Sequence, residues 1–239
     1  MPRPALLLAL LSACLLVPFA GAADAKTAPR RPVVVELYTS QGCAACTTTN
    51  ALVADLAERK DVLALTFPVD YWDYLGWKDT FAKPDFSERQ RAYQKALGLR
   101  EVYTPQLVID GAAQMGKTMP DRAPEMIAAA AKDHGPAPEM SVSRGRLIVG
   151  PGRLPAGGAE VWLVRYEGQP QETQVKDGEN RGLTVIYRNV ARELVRLGSW
   201  AGGTKTYALP KPEEDDADLK TVILLQGRTS GRILGVLKR

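Results

Sequence analysis

The chain has 239 residues, enough for one large domain or two smaller ones. At 45% hydrophobic and 24% charged, its composition is globular and excludes a disordered chain. The formal net charge of +4 is spread thinly, with no basic stripe, which excludes the usual footprint of a nucleic-acid-binding protein.

The first residues, "MPRPALLLALLSACLLVPFAGAADA", carry a positive charge at Arg3, an apolar core from Ala5 to Phe19 and small residues at Ala20, Gly21 and Ala22. This is the pattern of a signal peptide over 1–22, cleaved after Ala22. The apolar core falls short of the roughly 20 residues a membrane span needs, and Pro18 interrupts it. The mature chain is therefore expected without a stable membrane span, in the periplasm or outside the cell. A lesser alternative is lipid anchoring at Cys14 within "LSAC", although apolar residues continue after it. Cleavage reduces the three cysteines to two, Cys43 and Cys46, which in an oxidising compartment pair with each other or with another molecule.

"VVVELYT" (33–39) is a β-branched run, apolar on both faces, and reads as a buried, parallel strand. After Cys46, "TTTNALVADLAERK" keeps Leu52, Val53 and Leu56 at helical spacing, and "VLALTFPV" (62–69) is a second buried strand. Strand, helix and strand in so short a span make a βαβ unit. An insertion at 70–85, "DYWDYLGWKDTFAKPD", carries Tyr71, Trp72, Tyr74, Trp77 and Phe81. "FSERQRAYQKALG" (86–98) is an amphipathic helix ended by Gly98. "TPQLVIDGAAQMG" (104–116) is a hairpin with an Asp-Gly turn at 110 and 111. "PDRAPEMIAAAAKD" (120–133) is a helix started by Asp121. The expected order is β-α-β-α-β-β-α. "HGPAPEM" (134–140) reads as a linker with His134 exposed, and 141–239 as short strands of an antiparallel β-sandwich-like domain. There "RNVARELVRLG" (188–198) fits either period and is read as a strand. The acidic "EEDD" (213–216) reads as a solvated loop.

Cys43 falls where strand passes to helix, and Cys46 one turn later. Backbone N–H groups and the helix dipole at that end favour a thiolate, which makes Cys43 a nucleophile. Cys46 at i+3 lies on the same face and is placed to resolve a mixed disulfide formed at Cys43. A structural zinc site needs two more ligands, and the mature chain offers only His134, so no metal is expected there. Copper(I) on the two thiolates stays open. A purely structural disulfide also stays open, weakened because so short a loop constrains the unfolded chain little. Pro105, opening the third strand, is expected beside the cysteines. A cis Thr104–Pro105 bond would turn the Thr104 backbone toward an extended partner chain. The Cys43 sulfur is accordingly expected to be exposed next to Pro105.

"GCAAC" at the first helix, "YTP" before the hairpin and the order of elements resemble the thioredoxin fold. More narrowly, "VVVELYTSQGCAAC", "VDYWDYLGWKD", "RQRAY", "VYTPQLVIDG" and "GENRGLTVIYRNV" resemble a bacterial family of secreted thioredoxin-like proteins of unknown function. The resemblance implies an α/β, thioredoxin-like domain over 31–133, a β-rich domain over 141–239, and Cys43–Cys46 as a redox-active disulfide. Thioredoxins proper have a tryptophan before the first cysteine and a proline inside the motif, where this chain has Gly42 and Ala44–Ala45. Substrate and direction of electron flow therefore do not carry over.

Two readings fit Glu36. It serves as a proton acceptor for Cys46, as an acidic residue does in thioredoxins, or it is a paired structural carboxylate turned away by strand alternation. Two also fit Tyr71, Trp72, Tyr74 and Trp77: a partner-docking wall beside the cysteines, or packing of the insertion. The expected function is thiol–disulfide exchange with no cofactor beyond the cysteines, serving a protein thiol or disulfide substrate and a redox partner protein. The alternatives are a binding module on the same scaffold and, less favoured, a copper(I)-handling protein.

Overall fold

The run Val33–Thr39 forms β1, buried at every position, because it lies at the centre of a sheet covered on both faces. In this computed structural model, residues 31–116, 120–212 and 218–239 are described. The signal-peptide reading over 1–22, the acylation alternative at Cys14 and the acidic run 213–216 lie outside them. β1 pairs in parallel with β2 (Val62–Pro68) and antiparallel with β3 (Gln106–Ile109), which turns back into β4 (Ala113–Gly116). Three helices, α1 (Thr47–Ala57), α2 (Pro84–Ala96) and α3 (Ala123–Lys132), complete the β-α-β-α-β-β-α order.

Strand alternation sorts the core into two layers. Val33, Val35 and Leu37 of β1 face α1 and α3 through Val53, Leu56, Ala123 and Ile127. Val34 and Tyr38 face the other way, onto Phe86 and Tyr93 of α2 together with Leu63, Leu65 and Phe67. Tyr38 stacks on Phe67, whose ring meets Phe86 edge-on at 5.3 Å. Each fully buried side chain of this size contributes about 1.5–3 kcal/mol.

Among the described residues nine strands follow α3: β5 (Met140–Ser143), β6 (Arg146–Val149), β7 (Ala159–Glu167), β8 (Gln171–Gln174), β9 (Thr184–Tyr187), β10 (Val190–Trp200), β11 (Lys205–Ala208), β12 (Lys220–Gly227) and β13 (Ile233–Lys238). Four of them extend the first sheet, giving an eight-stranded mixed sheet in the order β13-β12-β7-β10-β2-β1-β3-β4. The seam is narrow. Val190 is paired with Thr66, and the Thr66 N–H donates to the Asn189 carbonyl at 3.0 Å. The core crosses it, because Val164, Tyr166, Val222, Leu224 and Ile233 belong to the same apolar cluster as Phe86 and Tyr93. A separate sheet, β11-β6-β5, lays Leu147, Val149 and Tyr207 against Val161, Ile223 and Leu225. No helix among the described residues is long and apolar enough to cross a membrane.

His134 departs from its expected exposure. Its side chain is 10% exposed, and its Nε2 lies 2.7 Å from Asp110 Oδ2. The same carboxylate accepts two hydrogen bonds from Arg31 and one from the Val34 backbone N–H. Asp110 begins the Asp-Gly turn. At Gly111 an added Cβ would come within 1.9 Å of the Gly231 carbonyl oxygen, so glycine is what lets the turn meet the bend before β13.

Candidate functional site

β1 delivers the chain to the end of the sheet, and residues 40–46 turn it into α1. The Ser40 side chain accepts the Gly42 N–H at 3.1 Å, and the Ser40 carbonyl accepts the Cys43 N–H at 3.1 Å. The Cys46 N–H then donates to the Cys43 carbonyl at 3.0 Å, closing a 3-10 turn over Ala44–Cys46 that leads into α1. Cys43 and Cys46 are joined as a disulfide with a Cα–Cα distance of 5.4 Å. Thr39 Oγ1 donates to Asn50 Oδ1 at 2.8 Å, fixing the end of β1 against α1.

The turn is moored from outside by residues to which the sequence assigned no role. Every polar atom of Gln41 is engaged. Its N–H donates to Asp79 Oδ2 at 2.7 Å and its carbonyl accepts Asn180 Nδ2 at 2.8 Å. Its side-chain amide donates to Thr80 and Thr173, while its Oε1 accepts the Trp77 indole at 2.9 Å and the Thr80 N–H. Asp79 is 2% exposed and also accepts the Tyr187 hydroxyl and the Phe81 N–H. Burial pushes the Asp79 carboxyl above its usual value, against the pull of these three donors. The signal for these groups lay in the polar residues inside "WKDTF" and "GEN", whose partners are far away in sequence.

Thr104–Pro105 is cis. One step beyond the Tyr38–Gln106 pair, the strand register sets Pro105 across from Thr39, at the sheet end where the cysteine turn begins. The exposure expected of Cys43 is overturned: Cys43 and Cys46 are each 1% exposed. Ala44 and Ala45 take the solvent side of the turn while both cysteines face inward. Trp72 lies beside the turn, its Cβ being 3.9 Å from where a Cβ on Gly42 would stand.

The four aromatics divide. Tyr71 donates to Gln90 Oε1 at 3.1 Å, and burial pushes its phenol up to about 12. Trp72 is half-buried against the α2-side core, its indole nitrogen buried without an acceptor. Tyr74 is 83% exposed, whereas Trp77 turns inward onto Gln41 and packs beside Val175 and Tyr187. Tyr71, Trp72 and Tyr74 face Val102, Tyr103 and Thr104 across a groove of about 330 Å³.

Glu36 is not brought to the sulfurs. It lies on the α2 face of β1, while the disulfide leads into α1 on the opposite face, where Leu37 points. Arg89 donates to both of its carboxylate oxygens, at 2.7 and 2.9 Å. Tyr93 and Tyr38 donate to them as well. Burial pushes both phenols well above their usual value. Glu36 is thus a paired structural carboxylate, and the proton-acceptor reading does not fit its place. Among the described residues no cluster of three or more His, Cys, Asp or Glu is arranged to hold a metal.

Residues 34–226 match the family described as Protein of unknown function (DUF1223). Protein AGR_C_4864 from Agrobacterium tumefaciens, known from its X-ray crystal structure, is 28% identical over 88% of this chain and 95% of its own, with a TM-score of 0.70. HBP35 of Porphyromonas gingivalis is similar in fold alone, at 13% identity and a TM-score of 0.59 over 88% of this chain and 75% of its own. No curated protein matches. With the match covering most of its length, the chain belongs to the DUF1223 family.

Proposed function

We propose that this chain is an exported thiol–disulfide oxidoreductase built on a thioredoxin-like domain. Its second half supplies the loop that moors the cysteine turn and a β-rich, sandwich-like layer formed by β5, β6 and β11 on the main sheet. The observation that carries the reading is the Cys43–Cys46 disulfide at the start of α1, on the sheet end that also bears Thr104–Pro105. In the reduced protein, the Cys43 thiolate attacks one sulfur of a substrate disulfide and expels the other as a thiolate. The Cys46 thiolate then attacks the Cys43 sulfur, releasing the second substrate thiolate and re-forming the Cys43–Cys46 disulfide. Two electrons pass from the pair to the substrate, and run backward the same steps oxidise a substrate dithiol. Thr104 and Pro105 position the partner chain, and Tyr71, Trp72 and Tyr74 line the groove it enters.

A second reading draws on the burial of Cys43. A shielded disulfide suits a binding module, in which the bond stays closed and the aromatic groove holds a ligand. Trapping separates the two. With Cys46→Ala, the oxidoreductase reading predicts a mixed disulfide between Cys43 and a specific envelope protein, absent from Cys43→Ser/Cys46→Ala. A trap that stays empty with both reduced and oxidised partners favours the binding module.

A further inference from the structure

The loop between β8 and β9 carries a carboxylate to the start of the cysteine turn. Asn180, 1% exposed, is fixed by its bond to the Gln41 carbonyl, and Glu179 beside it places Oε2 3.5 Å from the Ala44 backbone nitrogen. That N–H belongs to the residue after Cys43. Free N–H groups at this end are what a Cys43 thiolate uses for stabilisation, and the dipole there favours one anion. A carboxylate at the same end disfavours a second negative charge there.

We propose that Glu179 sets the redox poise of the cysteine pair, by holding a carboxylate against the Ala44 N–H at the helix end where a Cys43 thiolate forms. This rests on the oxidoreductase reading and gives it a direction. With the thiolate disfavoured, the reduced form loses stabilisation, the disulfide is held more firmly, and the pair works as a reductant of its substrate. Asp79 holds the Gln41 N–H, Asp73 accepts the Asp79 N–H, the Tyr187 phenol sits on Asp79, and Asp177 approaches Gly76. What distinguishes Glu179 is its contact with the amide beside the sulfur.

The test titrates the chemically reduced full-length protein by thiolate absorbance, comparing wild type with Glu179→Gln, Glu179→Lys and the control Asp177→Asn. Below the apparent pKa values of the pair, Glu179→Gln raises the thiolate fraction about three- to tenfold, and Glu179→Lys raises it further. Asp177→Asn leaves it near wild type. Because Glu179 is exposed, roughly 1 M salt shrinks the difference. In dithiothreitol buffers above the thiol pKa, the Glu179→Gln disulfide is reduced more easily by up to about tenfold, or about 30 mV. Where both thiols are protonated the potentials coincide. Superimposable titrations of wild type and both Glu179 variants overturn the proposal, as does an Asp177→Asn shift equal to that of Glu179→Gln. No partner protein is needed, so a Glu179 effect without protein exchange defeats the oxidoreductase reading alone. Exchange without a Glu179 effect defeats only this proposal.

Discussion

Asp79 Oδ2 accepts both the Gln41 backbone N–H, at 2.7 Å, and the Tyr187 hydroxyl, at 2.8 Å, so one buried carboxylate ties the cysteine turn to strand β9. The turn before the disulfide is therefore held by tertiary bonds more than by its own sequence. Asp79→Ala strands buried donors on both sides and is expected to cost about 3 kcal/mol. The sign with pH follows from burial, which raises the Asp79 carboxyl in the folded state. The folded protein holds that proton more tightly than the unfolded chain. Its stabilising contribution is full below the unfolded value of about 3.9 and is lost as pH rises through the raised folded value. Urea denaturation of wild type and Asp79→Asn should show the wild-type advantage shrinking as the pH rises above about 4. An advantage that grows over that range would contradict the assignment.

Glu36 and Arg89 form a buried ion pair, 1% and 4% exposed at their side chains, remote in role from the disulfide. Arg89→Met leaves a lone carboxylate in the core and is expected to cost about 3–5 kcal/mol, most of it recovered in Glu36→Leu/Arg89→Met. Glu36→Gln should leave the thiol titration of the reduced protein where it was, because its carboxylate faces α2. A shift in that titration would restore Glu36 to the site.

Tyr74 projects into solvent at the rim of the groove before Pro105. Tyr74→Ala is expected to change stability by no more than about 0.5 kcal/mol. If the groove receives the partner chain, the variant raises KM for a protein disulfide while reaction with glutathione stays at the wild-type rate. Equal losses with both substrates would assign Tyr74 no part in docking.

The N-terminal elements were legible because local pattern and burial agree there. Val33–Thr39 is apolar on both faces and is a central strand, and the Asp110–Gly111 pair makes the hairpin turn its dipeptide favours. "RNVARELVRLG" was ambiguous for a physical reason. Its pairing with β7 shifts register between Ala191 and Glu193 and again between Arg196 and Gly198, which breaks the two-residue alternation of a strand. The joining of β10 to β2 was out of reach, since one residue pair and a shared core carry it. At the site, spacing located the cysteines, but nothing local showed that each would be 1% exposed or that a loop some 135 residues downstream would reach Ala44. His134 looked like a linker residue because nothing nearby in sequence reveals Asp110 as its partner.

Disulfide exchange by the full-length protein tests the oxidoreductase activity of the Cys43–Cys46 pair most directly. Reduced wild type is mixed with a disulfide-bonded protein such as insulin, and the redox state of Cys43–Cys46 is followed across glutathione buffers. Reversible exchange between the pair and the substrate is expected, lost in Cys43→Ser and arrested as a mixed disulfide in Cys46→Ala. A pair that stays oxidised in strongly reducing buffer and exchanges with no protein substrate would contradict it, and would leave Cys43–Cys46 a closed bond on a binding scaffold.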